Sequence, residues 1–202
     1  IAVDTVGEAL ERMKADGVRR VAVQPTLLLG GIEYERLLRV VQGCTGLCAA
    51  TGKPLIAGQE DCEALASAIM AEHPIVQEEA LLLMGHGTEH AANHVYHALQ
   101  EAFDKKGYRG FIGTVEGEPS FMDAVARLTA SASERARLLP LMFVAGEHAK
   151  NDMAGEQEGS FLTCVREAGI SAHPVLRGLG ESEAIRALYV RRVETALREV
   201  ER

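Results

Sequence analysis

Ala80-Leu81-Leu82-Leu83-Met84-Gly85-His86-Gly87 is the stretch that decides how this chain is read. An unbroken apolar run, without alternation, describes a strand buried on both faces, as in a parallel sheet covered by helices. The two glycines that follow let the backbone turn sharply and let a ligand come close. His86 is therefore expected to stand open at the carboxyl end of the strand. Two more runs have this form. Phe111-Ile112-Gly113-Thr114-Val115 ends on Glu116, and Leu141-Met142-Phe143-Val144 leads through Ala145-Gly146-Glu147 to His148. Open α/β sheets bind ligands outside the carboxyl ends of their strands. Two imidazoles and a carboxylate gathered there suit a divalent transition metal such as cobalt, nickel, iron or zinc. His86, Glu116 and His148 are the candidate metal ligands, and His86 and His148 the candidate catalytic residues. Taken singly, each also reads as a solvent-facing strand-end or loop residue.

Outward from these runs, helix and strand alternate along the whole chain. Strands are expected at 19–24, 54–57, 80–84, 110–115, 140–144 and 172–176. Helices are expected at 6–16 (capped by Asp4), 33–41, 61–72, 89–105, 120–129, 159–168 and 182–200. The pattern predicts an α/β fold of two lobes, each a parallel sheet flanked by helices, with a cleft between them. Pro74 and a cluster of charges place the boundary within 73–79. The N-terminal lobe is then 1–78 and the C-terminal lobe 79–202, with the last helix reaching back over the first lobe. The chain opens on Ile1 and runs almost at once into a helix, where a parallel unit normally begins with a strand. An upstream part of the first lobe is expected to be missing, and a leader could have gone with it.

Composition narrows the function. The 202 residues are 47% hydrophobic, enough for a sizeable core, and carry a net charge of -8. An acidic chain without tryptophan does not suit nucleic-acid binding, which asks for a basic face or stacking aromatics. No apolar run approaches the roughly 20 residues of a membrane helix. Cys44, Cys48, Cys62 and Cys164 form no Cys-x-x-Cys pair and read as free thiols of a reducing cytoplasm.

Other histidines offer rival readings. His86, His90, His94 and His97 make a ladder that, on a helix, is either an accessory metal face or a solvated polar face. His86-Gly87-Thr88-Glu89-His90 also matches the H-x-x-E-H pattern of inverted zinc peptidases, which needs one continuous helix. Gly87 opposes that helix. His73 and His173, each before a proline, read as structural. Glu118 reads as a cap for the helix that follows it, and Lys150 as a cation at the mouth of the site.

Four stretches carry a more specific resemblance. They are Met84-Gly85-His86-Gly87-Thr88-Glu89-His90, Gly113-Thr114-Val115-Glu116-Gly117-Glu118-Pro119, the run Pro140 to Met153 through Ala145-Gly146-Glu147-His148, and Gly178-Leu179-Gly180-Glu181. In order along nearly the whole chain, they resemble the anaerobic (class II) cobalt chelatases of the CbiK type, the sirohydrochlorin cobaltochelatases. The resemblance implies a chelatase-like fold and insertion of Co²⁺ into sirohydrochlorin during cobalamin biosynthesis. It implies metal handling by His86, Glu116 and His148, cobalt as substrate with no organic cofactor, and a homo-oligomer. Leu28 and Leu29, in a loop at 27–31, would form an apolar wall for the tetrapyrrole or lie in a buried loop, and Gly87 and Thr88 would meet it at the turn. Two other functions stay open: a tetrapyrrole or metal carrier without turnover, and a zinc hydrolase built on His86 and His90. The physiological metal, cobalt against iron or nickel, stays open as well.

Overall fold

The computed structural model describes residues 3–201; Ile1, Ala2 and Arg202, and with them the expectation drawn from Ile1, lie outside the described residues. The elements are α1 (Val6–Ala15), β1 (Arg20–Val23), α2 (Ile32–Gly43), β2 (Cys48–Thr51), α3 (Gln59–Glu72), β3 (Glu79–Gly87), α4 (His94–Lys105), β4 (Gly110–Glu116), α5 (Phe121–Ala130), β5 (Arg135–Pro140), α6 (Phe161–Glu167), β6 (Ser171–Pro174) and α7 (Glu183–Glu201). Among the described residues the strands form two parallel sheets, β1-β2 and β4-β3-β5-β6. This is the two-lobed α/β architecture that the alternation predicts. The chain divides into one unit of Ile1–Ala57 with Ala187–Arg202 and another of Gly58–Arg186. That division differs from a boundary within 73–79. Pro74 ends α3 but does not separate it from the second sheet. The helix buries Cys62, Leu65, Ala66 and Ile69 and packs against α4.

In the first unit, Leu10, Val41 and Leu47 form a small core with Val21, Val23 and Leu37 around it. Thr5, not Asp4, caps α1, in a reciprocal capping box with Glu8, while Asp4 pairs with Arg12. The strand expected at 54–57 lies instead at Cys48–Thr51. Pro54 has no N–H for a ladder. Leu55 and Ile56 are buried by a different device: their N–H groups donate to the carbonyls of Leu27 and Leu28 at 2.9 and 2.8 Å. Tyr189 of α7 donates to the Leu27 carbonyl at 3.3 Å, and Arg192 to that of Leu55 at 3.2 Å.

In the second unit, β3 is the central strand. Leu81, Leu82, Leu83 and Met84 are fully buried because both sheet faces are covered. Leu82 and Met84 pack with Ala124, Val125 and Leu128 of α5 and with Leu162 and Val165 of α6; Leu81 and Leu83 point to the opposite face. The strand expected at 140–144 is found at Arg135–Pro140. Its arginines disguise it: Arg137 is held by Glu79 of the neighbouring strand at 3.1 Å, so a charged residue occupies a ladder position. Pro140 is the last residue in register, opposite Met84, and beyond it the chain leaves the sheet.

Gln100 of α4 is the polar pin of this core. Its Nε2 donates to the Gly110 carbonyl at 2.8 Å, and its Oε1 accepts from the Ile112 N–H at 2.9 Å. Replacing it by leucine leaves both backbone groups buried and unpaired, at about 1–3 kcal/mol each. Gln100→Leu is expected to lower the urea midpoint markedly; an unchanged midpoint would show that α4 is held otherwise.

His73 is the C-cap of α3, and Tyr108 Oη donates to its backbone carbonyl at 2.6 Å. Burial holds its imidazole below the ordinary histidine value of 6.5. A depressed histidine contributes stability above its unfolded pKa and loses it as pH falls through the lower folded value. His73→Gln is therefore expected to flatten the loss of stability between pH 7 and 5. Equal slopes in the variant and the parent would remove His73 from the account. Among the described residues no helix is long and apolar enough to cross a membrane.

Candidate active site

The strand order β4-β3-β5-β6 reverses at β3. From β3 the chain moves to β4 on one side, then crosses to β5 on the other. The crevice outside the carboxyl ends of β3 and β5 is thus the switch point at which such sheets bind ligands. His86 is the penultimate residue of β3, and His148 follows β5 at the start of a π-helical turn, Ala149–Met153. Their rings meet edge to face, with centroids 4.9 Å apart and planes at 87°.

Each ring has its Nδ1 engaged. His86 Nδ1 lies 3.0 Å from the carbonyl oxygen of Gly87, and His148 Nδ1 lies 2.6 Å from Asp152 Oδ2. A carbonyl and a carboxylate can only accept, so Nδ1 carries the proton in both rings. Nε2 of each then carries the lone pair, which can bind a metal or a proton. With metal–nitrogen bonds of roughly 2.1 Å, two imidazoles on one ion have centroids about 4.6–5.3 Å apart. The observed separation falls in that range.

The turn bearing His86 is braced from below. Tyr96 of α4 accepts from the Gly87 N–H at 3.2 Å, and its ring lies so close to Gly85 that a Cβ there would come within 2.4 Å. Burial raises the Tyr96 phenol above its usual pKa, which keeps it neutral. Gly87 stands at φ +82°, opposite Glu116 in the ladder, and a Cβ on it would lie 1.3 Å from the Glu116 carbonyl oxygen. Glu116 therefore ends β4 immediately beside the His86 turn, with its side chain exposed. Asn93 ties the two turns: its Oδ1 accepts from the Thr88 N–H at 3.1 Å, and its Nδ2 donates to the Glu118 carbonyl. Among the described residues no three His, Cys, Asp or Glu side chains stand grouped as a metal site. The structure brings His86 and His148 together and sets Glu116 alongside in the ladder, without drawing its carboxylate into a three-ligand cluster. Thr88 Oγ1 accepts from the His90 N–H at 3.1 Å, within the same turn. Leu28 and Leu29, in the first unit, are half-buried.

The cobalt chelatase (CbiK) family matches this sequence over residues 1–198. The chain belongs to that family. The sirohydrochlorin cobaltochelatase of Salmonella typhimurium is 36% identical over 200 residues, spanning 98% of this chain and 76% of that protein. The sirohydrochlorin cobaltochelatase CbiKC of Nitratidesulfovibrio vulgaris is 34% identical, spanning 96% of this chain and 71% of its own length. Among solved structures, SirB from Bacillus subtilis with Fe³⁺ superposes with a TM-score of 0.65 at 15% identity, over 99% of this chain and 80% of that one. That likeness establishes a chelatase-like fold.

In this CbiK-family chain the remaining histidines stand apart from the switch-point pair. His90 Nδ1 accepts from the Ala92 N–H at 3.1 Å and so caps a short 3-10 turn, Ala91–Asn93, that precedes α4. The helix expected from 89 thus begins at His94. His86 lies in a strand, so the H-x-x-E-H match does not sit on one helix, and the zinc-hydrolase reading fails on geometry. His94 and His97 are exposed on α4, as a solvated face would have them. Glu118 Oε2 accepts from the Ser120 N–H at 3.0 Å, while the cap of α5 is a Ser120–Asp123 box. Lys150 is paired with Glu147 at 3.1 Å, which holds that carboxyl below its usual pKa. Sequence reading missed Tyr96, Asn93 and Asp152. The His148-x-x-x-Asp152 spacing was a signal for the last of these, but only if residues 149–153 were helical.

Proposed function

We propose that this protein inserts Co²⁺ into sirohydrochlorin in the anaerobic route to cobalamin. One metal ion replaces two pyrrole N–H protons. The site must hold the ion as water leaves it and must accept those protons. The observation that carries the reading is the pair of imidazoles 4.9 Å apart, each with Nδ1 occupied and Nε2 available. One nitrogen cannot bind a metal and a proton at once, so His86 and His148 share the two tasks. Glu116, beside Gly87 in the ladder, completes the metal site when its exposed side chain swings inward. Gly87 and Thr88 at the turn contact the macrocycle. The enzyme works in the cytoplasm as a homo-oligomer.

Insertion is followed anaerobically by the change in sirohydrochlorin absorbance on adding Co²⁺. Rapid, catalytic conversion supports a chelatase. Binding of the tetrapyrrole without conversion above the uncatalysed rate would make the protein a carrier. Comparing Co²⁺ with Fe²⁺ and Ni²⁺ in the same assay identifies the metal it prefers.

A further inference from the structure

We infer that Asp152 is a positioning residue for the chelatase reaction: its carboxylate fixes His148 as the Nδ1–H tautomer and aims Nε2 at the incoming cobalt ion. The inference rests on the proposed chelatase function and goes one residue further. His148, at the N-cap of the π-helical turn Ala149–Met153, and Asp152 within it are four residues apart, with Nδ1 and Oδ2 at 2.6 Å. Such turns are uncommon and recur at functional sites. The nearest cation in sequence does not compete for this carboxylate. Lys150 bonds Glu147 at 3.1 Å, and Asn151 Nδ2 donates to the same Glu147 at 3.4 Å.

Stability does not account for the contact. The side chains of His148 and Asp152 are 49% and 41% exposed, and pairs this open to water contribute little to folding. The tautomer does account for it. A neutral imidazole carries one N–H, and whichever nitrogen donates it leaves the other as the ligand. Carboxylate partners of this kind orient a metal-binding histidine and raise its basicity, and losing them weakens binding or activity by about 10–100-fold. His86 receives the same service from the Gly87 carbonyl, a backbone group fixed by the turn. Only for His148 can the partner be changed by substitution. Asparagine is the informative replacement. Its amide can donate to Nδ1 and so favour the opposite tautomer, which puts the proton on the nitrogen meant for cobalt.

The test uses the whole chain as Asp152→Asn, Asp152→Ala, Asp152→Glu and, as control, His148→Ala. Cobalt chloride is titrated into each protein, followed by the visible absorbance of the bound ion. Insertion is measured in parallel with Co²⁺ and sirohydrochlorin varied separately. For Asp152→Asn and Asp152→Ala, the Kd and KM for cobalt are expected to rise about 10–100-fold. The KM for sirohydrochlorin is expected to stay within about twofold and the melting temperature to hold. Asp152→Glu should recover most of the loss. If His148→Ala loses cobalt while Asp152→Asn and Asp152→Ala bind it like the parent, the role of Asp152 is refuted and the site stands. If His148→Ala also binds and inserts cobalt like the parent, the site itself is wrong, and the inference falls with it.

Discussion

His148→Ala is expected to lose cobalt insertion by about 10²- to 10⁴-fold, the usual weight of a placed acid–base group, while folding as the parent does. The substitution removes one of the two Nε2 atoms at the switch point and with it either a metal donor or a proton acceptor. The remaining ring, on His86, cannot serve both tasks on one nitrogen. The fold is spared because the imidazole is half exposed and its ring bonds outward to Asp152 rather than into the core. The adjacent Ala149 and the more distant Met153 are the buried anchors of the turn, and both are left intact. Far-ultraviolet dichroism and melting temperature check the fold, and anaerobic absorbance checks the reaction. A variant that inserts cobalt at the parental rate would contradict the assignment.

Gly87→Ala is expected to cost the second unit about 2–5 kcal/mol, from a left-handed backbone and from overpacking together, and to abolish insertion as well. Its φ of +82° disfavours any side chain, and the Cβ would lie 1.3 Å from the Glu116 carbonyl oxygen. That oxygen belongs to the backbone and cannot swing aside. Either β3 and β4 part at their last register pair or the His86 turn rebuilds. Both outcomes separate His86 from Glu116. Gly169→Ala is a useful comparison: its φ is similar at +83°, but no atom lies within 4 Å of the added carbon. Urea denaturation should find Gly87→Ala the more damaged of the two by a clear margin. Equal losses would mean that backbone conformation alone, not the approach of β4, sets the requirement for glycine.

The parts of this fold that could be read from sequence are those where burial dictates composition. Leu81 to Met84 must be apolar throughout because helices cover both faces of β3, and the Gly85-His86-Gly87 turn advertises itself by its glycines. Where two physical demands conflict, composition misleads. Leu55 and Ile56 are as buried as strand residues, but their N–H groups bond a loop, so the apolar run at 54–57 imitated a strand. Arg135 and Arg137 made the true β5 look like a surface segment, because the Glu79 carboxylate that holds Arg137 is distant in sequence. The site divides the same way. As candidates, His86, Glu116 and His148 stand out in the sequence because each closes or follows an apolar run. Tyr96 and Asn93 do not, since their bonds to Gly87 and Thr88 exist only once α4 packs beneath the turn. Asp152 was hidden in a polar stretch whose helical character depends on the buried Ala149 and Met153.

In the proposed reaction His86 and His148 together receive the cobalt ion at the switch point of the second sheet. Crystals of the protein soaked in Co²⁺, with data collected at the cobalt absorption edge, test it most directly. An anomalous peak is expected about 2.1 Å from Nε2 of both His86 and His148, with the Glu116 carboxylate turned toward it. A cobalt ion held instead by His94 and His97 on α4, with the switch-point pair bare, would contradict it.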